Sequence, residues 1–192
     1  MNIRGLVLAG GKSSRFGEDK ALAFYNGRSF LERAVSLLAS LDLEPIIVTR
    51  RGANYPLTGC AVIYDKLSDK GPLGGLYTAM TTFKNSSFLV LPCDMPALVP
   101  AVLSNLLAVH EPHFGVTAYS VESGIQPFPA IYESSLLGII GNKLEENNLS
   151  MLDLLDRVPA KKVMSWKNEQ EIFCNINHKS DLTAGEGSLS HQ

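Results

Sequence analysis

The stretch LVLAGGKSSRFGEDKAL, residues 6–22, runs from an apolar segment into two glycines and then into a charged loop. The five charged residues of the loop are Lys12, Arg15, Glu18, Asp19 and Lys20. Glycines at the end of a strand let backbone N–H groups approach an anion closely. The stretch therefore predicts a strand that ends in an anion-binding loop. The alternative is an ordinary strand-to-helix turn whose charges are solvated.

Two common phosphate-binding motifs fail in this loop. The dinucleotide fingerprint GxGxxG, if it begins at Gly10, requires a glycine where the chain has Lys12. The P-loop GxxxxGK(S/T), if it begins at Gly5, requires a lysine where the chain has Gly11. The sequence therefore argues against both a Rossmann dehydrogenase and a P-loop nucleotide site.

Short apolar runs alternate with segments of helical period along the chain. The runs are 5–9, 45–49, 60–64, 88–92, 114–120 and 130–133, and the helical segments are 30–41, 99–109 and 144–158. Strands that are apolar on both faces and alternate with helices are typical of a parallel sheet covered on both sides. We therefore predict a three-layer, doubly wound α/β fold with a mostly parallel, Rossmann-like sheet. In such a fold, ligands bind beyond the carboxyl ends of the strands.

Shorter signals predict where the helices begin and end. Ser29 and Glu32 have the spacing of a capping box for the first helix. Pro72 suits the first turn of a helix that starts near Gly71. The last helical segment is expected to break near Asn147–Asn148.

Composition and charge are those of an ordinary globular protein. The chain has 192 residues, of which 45% are apolar and 19% charged, and its net charge of −2 gives no reason to expect nucleic acid or an anionic membrane as a partner. Residues 1–182 are expected to form one domain, and 183–192, which lack apolar periodicity, a flexible tail. The three separated cysteines match neither a disulfide framework nor a zinc site, and no signal peptide or membrane span is evident. A cytoplasmic protein is predicted.

The segment LPCDMP, residues 91–96, closes the most apolar strand with a single carboxylate. Asp94 is expected where side chains emerge into the ligand crevice. Mg²⁺ usually takes one or two carboxylates and completes its shell with water and phosphate oxygens. Asp94 is therefore a candidate magnesium ligand, and a cap of the next helix is the alternative. Cys93 is interpreted as a packed apolar residue.

Two further segments carry candidate binding residues. In IYDKLSDKGPLGGL, residues 63–76, Asp65 ends a strand and three glycines accompany the start of a helix. Ligand contact and close helix packing are both open for these glycines. In NIN, residues 175–177, the two asparagines share one face of an extended segment, and turn formation is the alternative.

These segments, in this order, resemble the GT-A-type nucleotidyltransferases, and specifically the molybdenum cofactor guanylyltransferase family. The resemblance covers most of the chain. The first loop, with the pattern AGGxSxRxGxDK over residues 9–20, is shared with sugar-nucleotide and cytidylyl relatives, whereas LPCDMP combined with a late NIN is more specific. The resemblance implies an enzyme that transfers GMP from GTP to molybdopterin and releases pyrophosphate. It also implies Mg²⁺ as cofactor, and cofactor-delivery or acceptor proteins as partners.

The resemblance further implies a set of site residues. Three are implied as catalytic, with the carboxylate as metal ligand: Arg15, Lys20 and Asp94. The positions implied to bind the nucleotide and its metal are Leu8, Ala9, Gly10, Gly11, Lys20, Thr49, Asp65, Gly71, Gly75, Asp94 and Asn177.

Two positions depart from the family pattern. After the second strand the family commonly has an asparagine, whereas this chain has Thr49, Arg50 and Arg51, so a threonine hydroxyl or an arginine would replace it. Gln126 stands where a charged residue would hold an anionic acceptor more firmly, so nucleotide binding is better supported than pterin binding. A related transferase that uses CTP or a sugar-phosphate acceptor is the alternative function. An inert nucleotide-binding regulator would not need the carboxylate of Asp94.

Overall fold

The computed structural model describes residues 2–10, 19–55, 59–122, 124–164, 169–177 and 180–181. The strands of these ranges are β1 (Ile3–Leu8), β2 (Phe24–Tyr25), β3 (Arg28–Ser29), β4 (Pro45–Thr49), β5 (Ala61–Tyr64), β6 (Ser87–Pro92), β7 (Val116–Val121), β8 (Gly124–Tyr132) and β9 (Ala160–Met164). The α-helices are α1 (Phe30–Ala39), α2 (Gly71–Thr82), α3 (Pro100–Val109), α4 (Leu137–Glu145), α5 (Met151–Arg157) and α6 (Glu169–Ile172). Short 3₁₀ turns span Lys20–Leu22 and Ser134–Leu136.

The main sheet has seven strands in the order β5-β4-β1-β6-β8-β7-β9, and β2 and β3 form a separate hairpin. Neighbouring strands pair in parallel except on either side of β8, which is antiparallel to both β6 and β7. Helices α1 and α2 pack on β1 and β4, and α3 packs on β7 and β8. The predicted doubly wound, mostly parallel α/β sheet is confirmed.

The central strands are buried on both faces, as their composition predicts. Every residue of β4 is buried, and so are the first five residues of β6. Strand β5 lies at the edge of the sheet and keeps three of its four side chains exposed. The apolar runs therefore identified the middle of the sheet, because a strand covered by helices on both sides has no solvent-facing positions.

The predicted helix starts are confirmed for α1 and α2. Ser29 Oγ accepts a hydrogen bond from the Glu32 backbone N–H at 3.2 Å, and Glu32 Oε2 accepts one from the Ser29 backbone N–H at 2.7 Å. This reciprocal pair is a complete capping box. Helix α2 begins at Gly71, whose φ is +58°, and Pro72 lies in its first turn.

The prediction of one interrupted helix over 144–158 is wrong at its start and confirmed at its break. Two helices, α4 and α5, flank the break, and α4 begins seven residues earlier than predicted. The apolar pattern of α4 is hidden because Lys143 occupies a core-facing position with its side chain 1% exposed. Its ammonium group donates to Asp153 of α5, so the buried charge is paired.

Three strand segments were not predicted from the sequence: the hairpin β2–β3, the first half of β8, and β9. Strand β9 has the sequence AKKVM, and its two lysines interrupt the apolar pattern by which a strand is recognised. None of the helices in the described part of the chain is long and apolar enough to cross a membrane. The single domain over 1–182 and the flexible tail over 183–192 stay predictions, since the tail lies outside the described residues.

We expect Gly5→Ala to destabilise the fold. A Cβ at this position would lie 2.8 Å from Leu38 Cδ1 and 3.2 Å from Leu38 Cβ, where β1 and α1 pack together. Overpacking of this kind costs about 1–3 kcal/mol of unfolding free energy. Urea unfolding measures the change.

Gly138→Ala is the matched control, because a Cβ on this helical glycine would meet nothing within 4 Å. Exchange of glycine for alanine at such an open position is expected to be neutral or stabilising. A Gly5→Ala protein as stable as the control would contradict the tight packing of α1 on β1.

Candidate active site

A cleft of about 1310 Å³ opens at the carboxyl ends of β1, β4 and β6. These strands are parallel neighbours, so their carboxyl ends lie side by side. Nine of the residues implied by the sequence line the cleft: Leu8, Ala9, Gly10, Lys20, Thr49, Asp65, Gly71, Gly75 and Asp94. Two others, Gly11 and Arg15, lie outside the described residues.

Three of the expected polar side chains meet at one point of the cleft wall. Lys20 Nζ lies 2.8 Å from Asp94 Oδ2 and 3.1 Å from Asn177 Oδ1. The side chains of Lys20 and Asp94 are 15% and 23% exposed. Asn177 is not a lining residue of the cleft, and it reaches the site through its bond to the lysine.

Asp94 divides its two carboxylate oxygens between different surroundings. Oδ2 accepts from Lys20, whereas Oδ1 is buried and has no hydrogen-bond partner among the described residues. Burial of an unpaired carboxylate oxygen is costly, and a cation is a partner that would offset this cost. Asp94 does not cap the next helix, because the N-cap position of α3 is Val99.

A small apolar cluster brings these segments together. Ile176 packs with Ala23, Tyr25 and Phe30, away from the main core. Its backbone N–H donates to the carbonyl of Asp94 at 3.0 Å. Because Ile176 points into this cluster, its neighbour Asn177 points outward towards Lys20, as the alternation of the NIN segment predicts.

Asp19 orients Lys20 through the backbone. Its Oδ1 accepts from the Ala21 N–H at 3.1 Å and so caps the 3₁₀ turn on which Lys20 lies. Caps of this type satisfy donors that a short helical turn cannot pair internally. The acid beside the lysine thus fixes the position from which the lysine side chain extends.

A family model described as the MobA-like NTP transferase domain matches residues 5–160 of the chain. The chain belongs to the MobA-like NTP transferase family. It is 32% identical over 176 residues to a Flavobacterium johnsoniae protein named probable molybdenum cofactor guanylyltransferase, with 92% of both chains covered. A protein of the same name from Bacillus cereus is 28% identical over 195 residues, with 98% of both chains covered.

A solved structure shares the fold over almost the whole chain. Molybdopterin-guanine dinucleotide biosynthesis protein A from Archaeoglobus fulgidus matches with a TM-score of 0.79 at 22% identity, and the match covers 98% of this chain and 100% of that one. This match shows the fold. The family model and the named relatives confirm the sequence-based recognition of the family and the enzyme class of nucleotidyltransferase.

Thr49 occupies the position at which the family resemblance led us to expect an asparagine. Thr49 is 1% exposed, and its hydroxyl lies 3.3 Å from the Tyr55 hydroxyl and 3.5 Å from the Ala9 carbonyl. The Thr49 hydroxyl, predicted as a replacement for the asparagine, is thus buried and hydrogen-bonded to other protein groups. Arg50 lines the cleft with its side chain 64% exposed, and its guanidinium lies 3.7 Å from Asp19 Oδ2.

Asp65 and two glycines of α2, Gly71 and Gly75, also line the cleft. Asp65 Oδ1 accepts from Thr78 Oγ1 at 2.8 Å and from the Leu67 N–H at 3.0 Å, which holds the carboxylate at the cleft. A Cβ on Gly75 would lie 2.9 Å from Leu8 Cδ2, so close packing of α2 on β1 applies to this glycine. Gly75 also lines the cleft, so both roles predicted for it, ligand contact and close helix packing, are compatible at this position.

Sequence reasoning missed two residues of the site. Phe128 on β8 lines the cleft, and the Tyr55 hydroxyl lies 3.0 Å from the Ala9 carbonyl and 3.2 Å from Asp19 Oδ2. The signal for Phe128 was the Pro-containing strand that starts near Gln126. Tyr55 follows a strand in a polar loop, and no motif marks it.

Cys93 lines the cleft next to Asp94 and packs against both apolar clusters. Burial, with a smaller contribution from the neighbouring carboxylate of Asp94, raises the pKa of the Cys93 thiol to about 12. The thiolate is the reactive form of cysteine. Cys93 is therefore a neutral packing residue at physiological pH.

Iodoacetamide at pH 8 should label Cys174 and leave Cys93 unmodified. Cys174 is exposed, whereas the raised pKa of Cys93 keeps it in the unreactive thiol form far above neutral pH. Peptide mass spectrometry reads the outcome, with labelling in urea as the control in which both cysteines react. Equal labelling rates in the folded protein would contradict the neutral, packed thiol.

Proposed function

We propose that this protein transfers GMP from GTP to molybdopterin, which forms the guanine dinucleotide cofactor and releases pyrophosphate. An oxygen of the acceptor phosphate forms a bond with the α-phosphorus of GTP, and the bond from that phosphorus to the bridging oxygen of the β-phosphate breaks. The acceptor is already an anion, so no covalent enzyme nucleophile is needed. The names of the relatives support the substrates. The observation that carries the proposal is the grouping of Lys20, Asp94 and Asn177 at the cleft.

The cleft has room for two substrates. Pockets for one small molecule usually measure about 300–1,000 Å³, and this cleft measures about 1310 Å³. Its described lining includes three basic and four acidic residues, which are Lys20, Arg50, Arg51, Asp19, Asp65, Asp69 and Asp94. This described lining would attract a triphosphate weakly by itself, so the proposal relies on further positive charge from Arg15 and from a metal ion that binds with the nucleotide.

The donor set fits a magnesium ion at Asp94. Oδ1 is an unpartnered, buried carboxylate oxygen, and Mg²⁺ needs only one or two protein carboxylates besides water and phosphate oxygens. A metal held entirely by protein would need a cluster of three or more histidine, cysteine or acidic side chains. The described residues contain no such cluster. When bound, Mg²⁺ would offset the charge of the triphosphate oxygens.

Each protein group has a defined task in this proposal. Lys20 donates to the reacting phosphate, and Asn177 and Asp94 hold the lysine where that phosphate arrives. Arg15, outside the described residues, is proposed to stabilise the departing pyrophosphate. Fixed charges in a desolvated cleft stabilise the charge that develops in the transition state more than water does.

The alternative function is transfer of another nucleotide, with CTP as donor or a sugar phosphate as acceptor. The glycines that line the cleft suit any flat base, and Gln126 does not single out an anionic pterin. We also propose that the protein is cytoplasmic and that it exchanges the cofactor with delivery or acceptor proteins.

Asp94→Asn should abolish most of the turnover and leave the fold nearly intact. The amide keeps an oxygen beside Lys20 but removes the negative charge from the proposed metal ligand, and such losses amount to several kcal/mol in the transition state. Steady-state guanylyl transfer at increasing Mg²⁺ measures the effect. Asp156→Asn, at an exposed position on α5, is the matched control. Turnover within a fewfold of the control in a folded protein would refute the metal role.

GTP with Mg²⁺ should raise the melting temperature more than ATP, CTP or UTP. At one hundred times the dissociation constant a ligand adds about 2.7 kcal/mol of stability, which is roughly 5–10 °C for a chain of this size. Thermal-shift assays with and without Mg²⁺ make the comparison. Equal shifts for all four nucleotides would remove the guanine preference, and a larger shift with CTP would favour the alternative function.

A further inference from the structure

Tyr55 is a buried tyrosine directly beneath the cleft. Its side chain belongs to the main core and the residue is 7% exposed. Its hydroxyl lies 3.0 Å from the Ala9 carbonyl, 3.2 Å from Asp19 Oδ2 and 3.3 Å from Thr49 Oγ1. One phenol group therefore touches the end of β1, the end of β4 and the residue that precedes Lys20.

The hydroxyl groups of Tyr55 and Thr49 are the donors in this group, and the Ala9 carbonyl and Asp19 Oδ2 are its acceptors. The Tyr55 hydroxyl is within donating distance of the Ala9 carbonyl at 3.0 Å and of Asp19 Oδ2 at 3.2 Å, and the Thr49 hydroxyl, 3.5 Å from the same carbonyl, is a second donor to Ala9. Burial raises the pKa of Tyr55 to about 12, so the phenol keeps its proton at neutral pH. A hydrogen bond to a carboxylate is stronger than one to a neutral carbonyl. The Tyr55 hydroxyl is thus a suitable donor for the charged side chain.

Among the described residues, Tyr55 is the buried side chain that donates a hydrogen bond to Asp19. Arg50 also approaches Asp19 Oδ2, at 3.7 Å, but its side chain is 64% exposed and a pair of that kind contributes little. The other oxygen of Asp19 caps the turn on which Lys20 lies. A continuous path of contacts therefore runs from Tyr55 through Asp19 to Lys20.

We propose that Tyr55 is a positioning residue of the transfer reaction, whose hydroxyl holds Asp19 and through it the turn that carries Lys20. The inference rests on the proposed function, in which Lys20 acts at the reacting phosphate. A lysine side chain is flexible, so the place where its ammonium group acts depends on how firmly its backbone is held. A misplacement of about 1 Å can cost about 10²-fold in rate.

Tyr55→Phe tests the proposal, because it removes the hydroxyl and keeps the buried ring. We expect kcat to fall about tenfold or more, with the KM for GTP changed less than about threefold, since the lost contact affects the reacting geometry rather than the cleft walls. Tyr119→Phe is the matched control. The hydroxyl of Tyr119 is also bonded to a carbonyl, that of Val102 at 2.9 Å, and it lies outside the cleft. The control should lose stability and keep its kcat.

A double-mutant cycle with Lys20→Ala shows whether Tyr55 acts through the lysine. In the Lys20→Ala background, Tyr55→Phe should lower kcat by less than about twofold, because the group that it positions is gone. Asp19→Asn is the second variant, and it should reproduce the loss of Tyr55→Phe. Crystal structures of the two tyrosine variants supply a readout without turnover. The distance from Lys20 Nζ to Asp94 Oδ2, 2.8 Å here, should lengthen in Tyr55→Phe and not in Tyr119→Phe.

The outcomes separate the inference from the function on which it rests. If Lys20→Ala loses turnover and Tyr55→Phe matches the Tyr119→Phe control, the inference is overturned and the proposed function stands. If the loss from Tyr55→Phe persists in full without Lys20, the tyrosine acts by another route and the inference is again overturned. If Lys20→Ala turns over like wild type, the role of the lysine in the proposed function is wrong, and the positioning role falls with it.

Discussion

The ion pair between Lys20 and Asp94 is the contact on which the site depends. Its atoms lie 2.8 Å apart and join segments separated by 74 residues. Both side chains are mostly removed from water, and a charge in that situation requires a partner. The pair therefore holds a cation and a carboxylate in place before any substrate arrives. It uses one oxygen of Asp94, and the other oxygen, which is buried and has no hydrogen-bond partner among the described residues, is the one that we propose as the magnesium ligand.

The two apolar clusters give this ion pair its rigidity. Asp94 follows β6, whose first five residues are buried in the main core, and the smaller cluster contains Ala23 just after the turn of Lys20 and Ile176 just before Asn177. Cys93 packs against both clusters, and this burial raises the pKa of its thiol, so the thiol stays unreactive beside the carboxylate of Asp94. The site is thus held between two packed regions rather than on a free loop, and precise placement of charge requires such support.

Residues that carry a local pattern were recognised from the sequence. Examples are the glycines after β1, the carboxylate after β6 and the capping box of α1. Each of them depends on neighbours within a few positions, so the sequence is enough to predict it. Lys143 shows the opposite case: a charged residue in the core concealed the start of α4, because its partner Asp153 lies on the next helix. The roles assigned to Arg15 and Gly11 stay predictions, since both lie outside the described residues.

The sequence by itself determined the α/β class, the central strands, the family and nine of the residues that line the cleft. Periodicity and short motifs depend on local sterics and on burial of apolar faces, which act over a few residues. Only the tertiary structure decided which side chains meet. It brought the Thr49 hydroxyl to the Ala9 carbonyl, Asn177 to Lys20 and the Tyr55 hydroxyl to Asp19. Contacts between segments 36 to 157 residues apart depend on the strand order of the sheet and on the docking of the last segment, and no local pattern encodes either.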